Sequence, residues 1–154
     1  MNSPHFQGVV PILITPFDEA DRIDEGSLRR LVDYCIDAGV HGFGIAFATE
    51  IPKLTEAERD RVTQIVVEQT RSRVPIVANT GAPSTQATIQ HSLRAQDLGV
   101  DAVMGTPPDA SAELIRQYFT GLCKAVEIPL FVQEVSGVMS GALLKQLAED
   151  RKST

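Results

Sequence analysis

Short apolar runs alternate along the chain with longer segments in which apolar residues recur every three or four positions. The first run is Val9-Val10-Pro11-Ile12-Leu13-Ile14. It passes into Thr15-Pro16-Phe17, where proline punctuates the end of a predicted strand. From Asp24 onward Leu28, Leu31, Val32, Cys35 and Ile36 fall at helix spacing, and Gly39 follows as a C-terminal stop. A second strand is predicted over 42–47. Thr55 and Glu58 then form a T-x-x-E capping box, in which each side chain satisfies a free backbone N–H of the other. That helix runs to about Thr70, with Val62, Ile65 and Val66 on one face. A third strand is predicted over 74–78. Ser84 caps a helix that ends at Gly99, and a fourth strand covers 101–105. Ser111 caps the next helix, whose Leu114, Ile115, Phe119, Leu122 and Val126 are expected to face the core. The fifth strand covers 129–133, and a fifth helix starts near Ser140 and runs through Leu143, Leu144 and Leu147.

Strands thus begin near Val9, Gly42, Val74, Asp101 and Pro129, a step of 27 to 33 residues that fits successive βα units. They read as continuous apolar runs, the signature of a parallel sheet covered on both faces or of a barrel wall. Ala38-Gly39-Val40-His41-Gly42 and Leu98-Gly99-Val100-Asp101-Ala102 look like copies, each a glycine-stopped helix feeding a strand. No linker or low-complexity stretch divides the chain, so residues 1–154 are expected to form a single domain. Periodicity leaves two architectures open. One is an open, doubly wound five-stranded parallel sheet of flavodoxin type, complete at about this size. The other is a (β/α)8 TIM barrel, which needs about 200 residues or more and would here stop before its sixth strand.

Composition changes this picture little. Apolar residues make up 43% and charged residues 22%, enough for a packed core. The net charge of −6 comes without a basic cluster, which argues against nucleic acid as a partner, because phosphates need Lys and Arg. No apolar run reaches the roughly 18 residues of a membrane helix, and Met1 to Gln7 lack the features of a signal peptide. A cytoplasmic protein without membrane contact is expected. Cys35 and Cys123 lie far apart inside helical patterns and read as small buried hydrophobes. His5, His41 and His91 show no metal-ligand spacing, so no metal is expected.

Several ordered strings carry a family resemblance. Gly8-Val9-Val10-Pro11-Ile12-Leu13-Ile14-Thr15-Pro16-Phe17 resembles the first strand of the dihydrodipicolinate synthase / N-acetylneuraminate lyase family. Ile23-Asp24, Leu54-Thr55-Glu56-Ala57-Glu58-Arg59, Ser84-Thr85 and Pro107-Pro108 follow in the family's order, in register over essentially the whole chain. The resemblance implies a (β/α)8 barrel and a class I aldolase or lyase without metal or organic cofactor. It also implies a lysine on the sixth strand that forms a Schiff base with pyruvate or another 2-keto acid. Tetramers are usual in the resembled family, so a homo-oligomer is expected.

The same resemblance supplies candidate site residues. The family's loop after strand two reads roughly G-T-T-G-E, and here Ala46-Phe47-Ala48-Thr49-Glu50 stands there. Thr49, the one hydroxyl left, and the N–H groups near Ala48 are candidates for holding the substrate carboxylate. Glu50 matches the closing acid. The family's proton-relaying tyrosine falls at Gln133, which cannot exchange a proton as a phenol does. Glu134 follows as a candidate general acid–base, provided burial raises its pKa. The family's arginine position holds Val138, and the tyrosine usual after Pro107-Pro108 is missing. The four lysines, Lys53, Lys124, Lys145 and Lys152, lie off the apolar strands, where an amine stays protonated and is a poor nucleophile.

Three functions therefore stay open. The first is a Schiff-base lyase whose lysine lies outside this chain, weakly active or inactive as it stands. The second is a non-catalytic module that self-associates through unpaired barrel edges. The third is a flavodoxin-like or receiver-like domain. Against the third, Thr15-Pro16-Phe17-Asp18-Glu19 is a poor phosphate cradle, and Asn79 and Gln133 stand where a receiver needs aspartate and lysine.

Overall fold

Each helix begins where a short polar side chain can take up a free backbone N–H. The computed structural model describes residues 6–134 and 137–150, without the side chain of Asp150. Helix α1 (Glu25–Asp37) starts behind Asp24, which accepts from Ser27 N. Helix α2 (Glu56–Thr70) starts on the full Thr55–Glu58 capping box. Ser84 caps α3 (Thr85–Leu98) and Ser111 caps α4 (Ala112–Ala125). For α5 (Gly141–Asp150), the Ser140 hydroxyl accepts from Leu143 N at 3.2 Å. At the far ends, Gly99 closes α3 at φ 94° and Gly39 follows α1 at φ 83°, left-handed geometry that costs glycine nothing.

Four strands form one parallel sheet in the order β1 (Phe43–Ile45), β2 (Ile76–Asn79), β3 (Ala102–Gly105), β4 (Leu130–Val132). The first predicted strand, 9–14, lies parallel outside β1 as a single Ile12–Gly44 bridge. Leu13 N donates to Gly44 O at 3.0 Å and Gly44 N donates to Pro11 O at 2.9 Å. Pro11 itself has no N–H to give, which keeps this pairing short of a ladder. A β-carbon on Gly44 would meet the tip of the Ile12 side chain, which would have to turn aside. The remaining strands are shorter than predicted. Phe47 leaves β1 for a 3-10 turn over Phe47–Thr49, and Asp101 turns its carboxylate onto Ile76 N at 2.8 Å instead of opening β3.

Strand order follows chain order without reversal, and each helix packs against the next. A doubly wound sheet reverses its order at a switch point. That alternative, and the flavodoxin-like and receiver-like readings that depend on it, is therefore corrected. The winding is that of a (β/α)8 barrel wall, of which these residues form a part.

Strand alternation gives the sheet two unlike faces. Leu13, Phe43, Ile45, Ile76, Ala78, Val103 and Leu130 belong to the core shared with the helices, together with Leu28, Val32, Val62, Ile65, Ile115 and Leu122. Burying each such side chain stabilises the fold by about 1.5–3 kcal/mol before entropy is counted. Gly105 lets α4 sit close, since a β-carbon there would stand 3.0 Å from Phe119 Cε1. On the opposite face, which a barrel would enclose, Ile12, Ile14 and Phe131 remain 38%, 59% and 38% exposed. Phe6 partly covers this face, edge-on to Phe131 at 5.1 Å. Two sequence expectations are corrected here. Leu114 faces solvent, beside the buried Ile115 of the same helix, and Cys123 is exposed.

Candidate active site

The C-terminal ends of β2, β3 and β4 bring three polar side chains together on the barrel-interior face. Asn79 ends β2 and is 3% exposed. Its Nδ2 donates to Gln133 Oε1 at 2.7 Å and to Thr106 Oγ1 at 3.0 Å. Its Oδ1 accepts from Gly81 N at 3.0 Å. Thr106 Oγ1 in turn donates to Gln133 Oε1 at 3.4 Å, and Gln133 N donates to Gly105 O at 2.8 Å. Both Nδ2 hydrogens and the Oδ1 oxygen of Asn79 thus have partners, as burial requires.

The other side of β2 holds this cluster in place. Thr80 faces the helices and its hydroxyl meets Ser92 Oγ at 2.7 Å. Ser92 Oγ donates to Thr88 O, and Tyr118 Oη donates to Thr88 Oγ1 at 3.3 Å. Burial raises the Tyr118 phenol above its ordinary pKa. These contacts tie the end of β2 to α3 and α4. A cavity of about 480 Å³ opens at this face, with Phe47, Ile51, Asn79, Thr106, Pro107 and Pro108 in its wall. Arg59 also reaches it, 3.3 Å from His91 Nδ1, and burial lowers that guanidinium below its ordinary pKa.

The residues predicted from sequence fall into two places. Thr49 is fully buried; its hydroxyl donates to Leu13 O at 2.6 Å and accepts from Ala46 N at 3.0 Å. Its hydrogen is spent on the fold, and its carbonyl accepts from Thr15 Oγ1 at 2.6 Å. Ala48 is exposed on the same turn. Glu50 stands in left-handed geometry at φ 64° and pairs with Lys53 at 2.6 Å. Gln133 lies in the polar cluster. Glu134, next along the strand end, accepts from Gly137 N at 2.7 Å and Met139 N at 2.9 Å, one bond to each oxygen. Its carboxylate organises the approach to α5.

No lysine joins this cluster among the described residues. Lys53 ends a 3-10 turn, Lys124 and Lys145 lie exposed on α4 and α5, and Lys152 is outside the described residues. No group of three His, Cys, Asp or Glu side chains able to hold a metal occurs among the described residues. No helix there is long and apolar enough to cross a membrane.

Thr106 was missed as a site residue, and Asn79 was noted only as a poor receiver aspartate. A signal existed: Asn79, Thr106 and Gln133 are spaced 27 residues apart, each a polar residue ending an apolar run. One βα unit separates each pair, so equal spacing puts them at one level of the sheet.

A singly wound parallel sheet with its polar groups gathered beyond the strand C-termini is the layout of a (β/α)8-barrel enzyme. The sequence model of the Dihydrodipicolinate synthetase family matches residues 5–147, and the chain belongs to that family. It is 36% identical over 147 residues to a 4-hydroxy-tetrahydrodipicolinate synthase of Methanopyrus kandleri, covering 92% of this chain and 49% of the relative. It is 34% identical over 159 residues to an L-2-keto-3-deoxyarabonate dehydratase of Azospirillum brasilense, covering 97% and 52%. Among solved structures, the chloride-inhibited dihydrodipicolinate synthase of Acinetobacter baumannii complexed with pyruvate superposes with a TM-score of 0.89 at 30% identity, covering 93% of this chain and 52% of that one. The chain spans about half the length of the curated relatives it matches.

Proposed function

We propose that this chain supplies the substrate-recognition part of a Schiff-base lyase or aldolase acting on pyruvate or another 2-keto acid. The nucleophilic lysine comes from polypeptide other than these 154 residues. The observation that carries this reading is the Asn79–Thr106–Gln133 cluster, set at the strand C-termini with no lysine beside it among the described residues. The names of the relatives, a synthase and a 2-keto-acid dehydratase, and the pyruvate in a similar structure support the substrate class.

In the reaction, an unprotonated lysine nitrogen adds to the keto carbon and water leaves. The resulting iminium accepts the electron pair of a neighbouring carbon–carbon bond as that bond breaks. Where water is lost instead, it accepts the pair of the adjacent C–H bond as a base removes the proton, and the enamine so formed expels the hydroxyl on the next carbon, which leaves with a proton as water. Reversal of the same flow makes the bond. Gln133 holds and orients substrate, because a neutral amide has no proton to exchange near neutral pH. The chemistry calls for neither metal nor organic cofactor. A cytoplasmic setting fits the low cysteine count: Cys35 and Cys123 lie on separate helices, α1 and α4.

The test is complementation. This chain is mixed with the separately produced C-terminal half of the Methanopyrus relative, given pyruvate, and reduced with borohydride. The expected product is a pyruvate-derived mass increment on the complementing half, formed only when both halves are present. No increment in the mixture counts against the reading. A second reading, a self-associating module without catalysis, is favoured by the apolar face left open at Ile12, Ile14 and Phe131.

A further inference from the structure

Among the described residues the arginines are paired unevenly. Arg22, Arg29, Arg61, Arg73, Arg94 and Arg116 each meet a carboxylate. Arg30 and Arg71 stand exposed, where water solvates the charge. Arg59, in the first turns of α2, is half-buried, and its side chain makes one hydrogen bond among the described residues, from Nη1 to His91 Nδ1 at 3.3 Å. A guanidinium only donates, so Nδ1 accepts and this imidazole carries its proton on Nε2. The acids on the same helix are turned elsewhere. Glu56 Oε1 stands 3.7 Å from His91 Nε2, and Asp60 accepts from Arg94 Nε at 2.7 Å. Burial lowers the Arg59 pKa even though the charges of Glu56 and Asp60 act to raise it. A partly desolvated cation without a close counter-charge costs the fold stability.

This charge borders an apolar chamber. Arg59 and His91 line the cavity of about 480 Å³ together with Phe47, Ile51, Pro107 and Pro108, and no Asp or Glu stands in its wall among the described residues. Other donors in the wall are spent. Asn79 and Thr106 give their side-chain hydrogens within their own cluster, Gly81 N donates to Asn79 Oδ1, and Ala82 N donates to Thr88 Oγ1 at 3.0 Å. Four of the five Arg59 N–H groups, the Nε–Nη2 edge among them, have no protein acceptor among the described residues. That edge matches the two oxygens of one carboxylate, and walls that exclude water strengthen the attraction. A phosphate, more strongly hydrated, would need further donors in place of phenyl and proline.

We propose that Arg59 binds the carboxylate of a small organic acid whose apolar body lies against Phe47, Ile51 and the Pro107-Pro108 turn. His91 acts as a positioning residue, since its Nδ1 holds Nη1 and so leaves the Nε–Nη2 edge for the ligand. The site does not depend on the lyase reading: it needs a charge, a body and a cavity, and no covalent step.

The test uses the 15N-labelled chain itself, with benzoate as the probe, and benzamide and acetate as comparisons. Benzamide keeps the body without the charge, and acetate keeps the charge without the body. The Arg59 Nε–H resonance, assigned by its loss in Arg59→Gln, is followed at fixed ionic strength to about 50 mM ligand, where even a millimolar site is filled. Benzoate is expected to shift it saturably. Benzamide and acetate should each bind at least about tenfold more weakly, and Arg59→Gln should weaken benzoate binding by at least about tenfold. Should the neutral variant disturb α2, the three ligands compared on the unaltered chain decide the matter by themselves. An unmoved Arg59 Nε–H, benzamide or acetate binding as tightly as benzoate, or a folded Arg59→Gln chain that binds benzoate as tightly as the original, overturns the proposal.

Discussion

Asn79 Nδ2 lies 2.7 Å from Gln133 Oε1 and joins the ends of β2 and β4 across 54 residues of chain. The bond bridges over β3, whose Thr106 completes the triangle. It is a long-range constraint made by two neutral amides. Asn79→Ala would leave Gly81 N without its side-chain acceptor and take from Gln133 its closest partner. A loss of about 1–3 kcal/mol is expected in urea unfolding, as for other broken buried hydrogen bonds. In a double-mutant cycle with Gln133→Met, the two residues should show a coupling of about 0.5–3 kcal/mol; simple additivity would mean that the contact is not made.

Acid should unfold the protein partly through the outer helices. Glu25 pairs with Arg61, and Asp33 accepts from Arg73 and Gln69, joining α1 to α2. The hydrogen bond from Arg61 holds the Glu25 carboxyl below its ordinary 4.5, and that from Arg73 holds Asp33 below 3.8. A carboxyl with a lowered folded pKa contributes stability above its unfolded value and loses it as pH falls through the folded one. The contribution should therefore be whole at neutral pH and fade below about pH 4.5 for Glu25 and below about 3.8 for Asp33. Thermal melts between pH 7 and 3 should show a shallower acid decline for Arg61→Met than for the original chain. These groups are solvent-exposed, so the difference should also shrink in high salt.

The open sheet face should drive association of this chain. Ile14 is 59% exposed and Phe131 38%, on the face that a closed barrel would bury. The leading segment and β4 form the two edges of the sheet, where a further strand could add. Light scattering after size-exclusion chromatography should find species larger than a monomer, and Ile14→Lys with Phe131→Lys should shift them toward monomer. A monodisperse monomer of the unaltered chain would speak against an exposed half-barrel surface.

Local chemistry was legible in the sequence where its cause is local. Thr55, Ser84 and Ser111 each cap the helix they were expected to cap, and Asp24 caps the one it was expected to open, because a cap needs only residues one turn apart. Sheet order was not legible: apolar runs record burial but not which strands are neighbours. Leu114 was placed in the core because an apolar residue beside an apolar stripe looks the same in one dimension. The Asn79–Thr106–Gln133 cluster was missed as a unit because its members lie a βα unit apart, and only parallel, in-order pairing brings them level. The two ends of that relationship, equal spacing and sequential winding, had to be known together.

Intact-mass analysis after borohydride reduction of this chain with pyruvate tests the central claim, that the recognition cluster is here and the lysine is not. The account predicts no pyruvate-derived increment on the chain alone, since its described lysines lie on turns and outer helices. A single stoichiometric increment, mapped to Lys53, Lys124, Lys145 or Lys152, would contradict it and place the Schiff-base chemistry within these 154 residues.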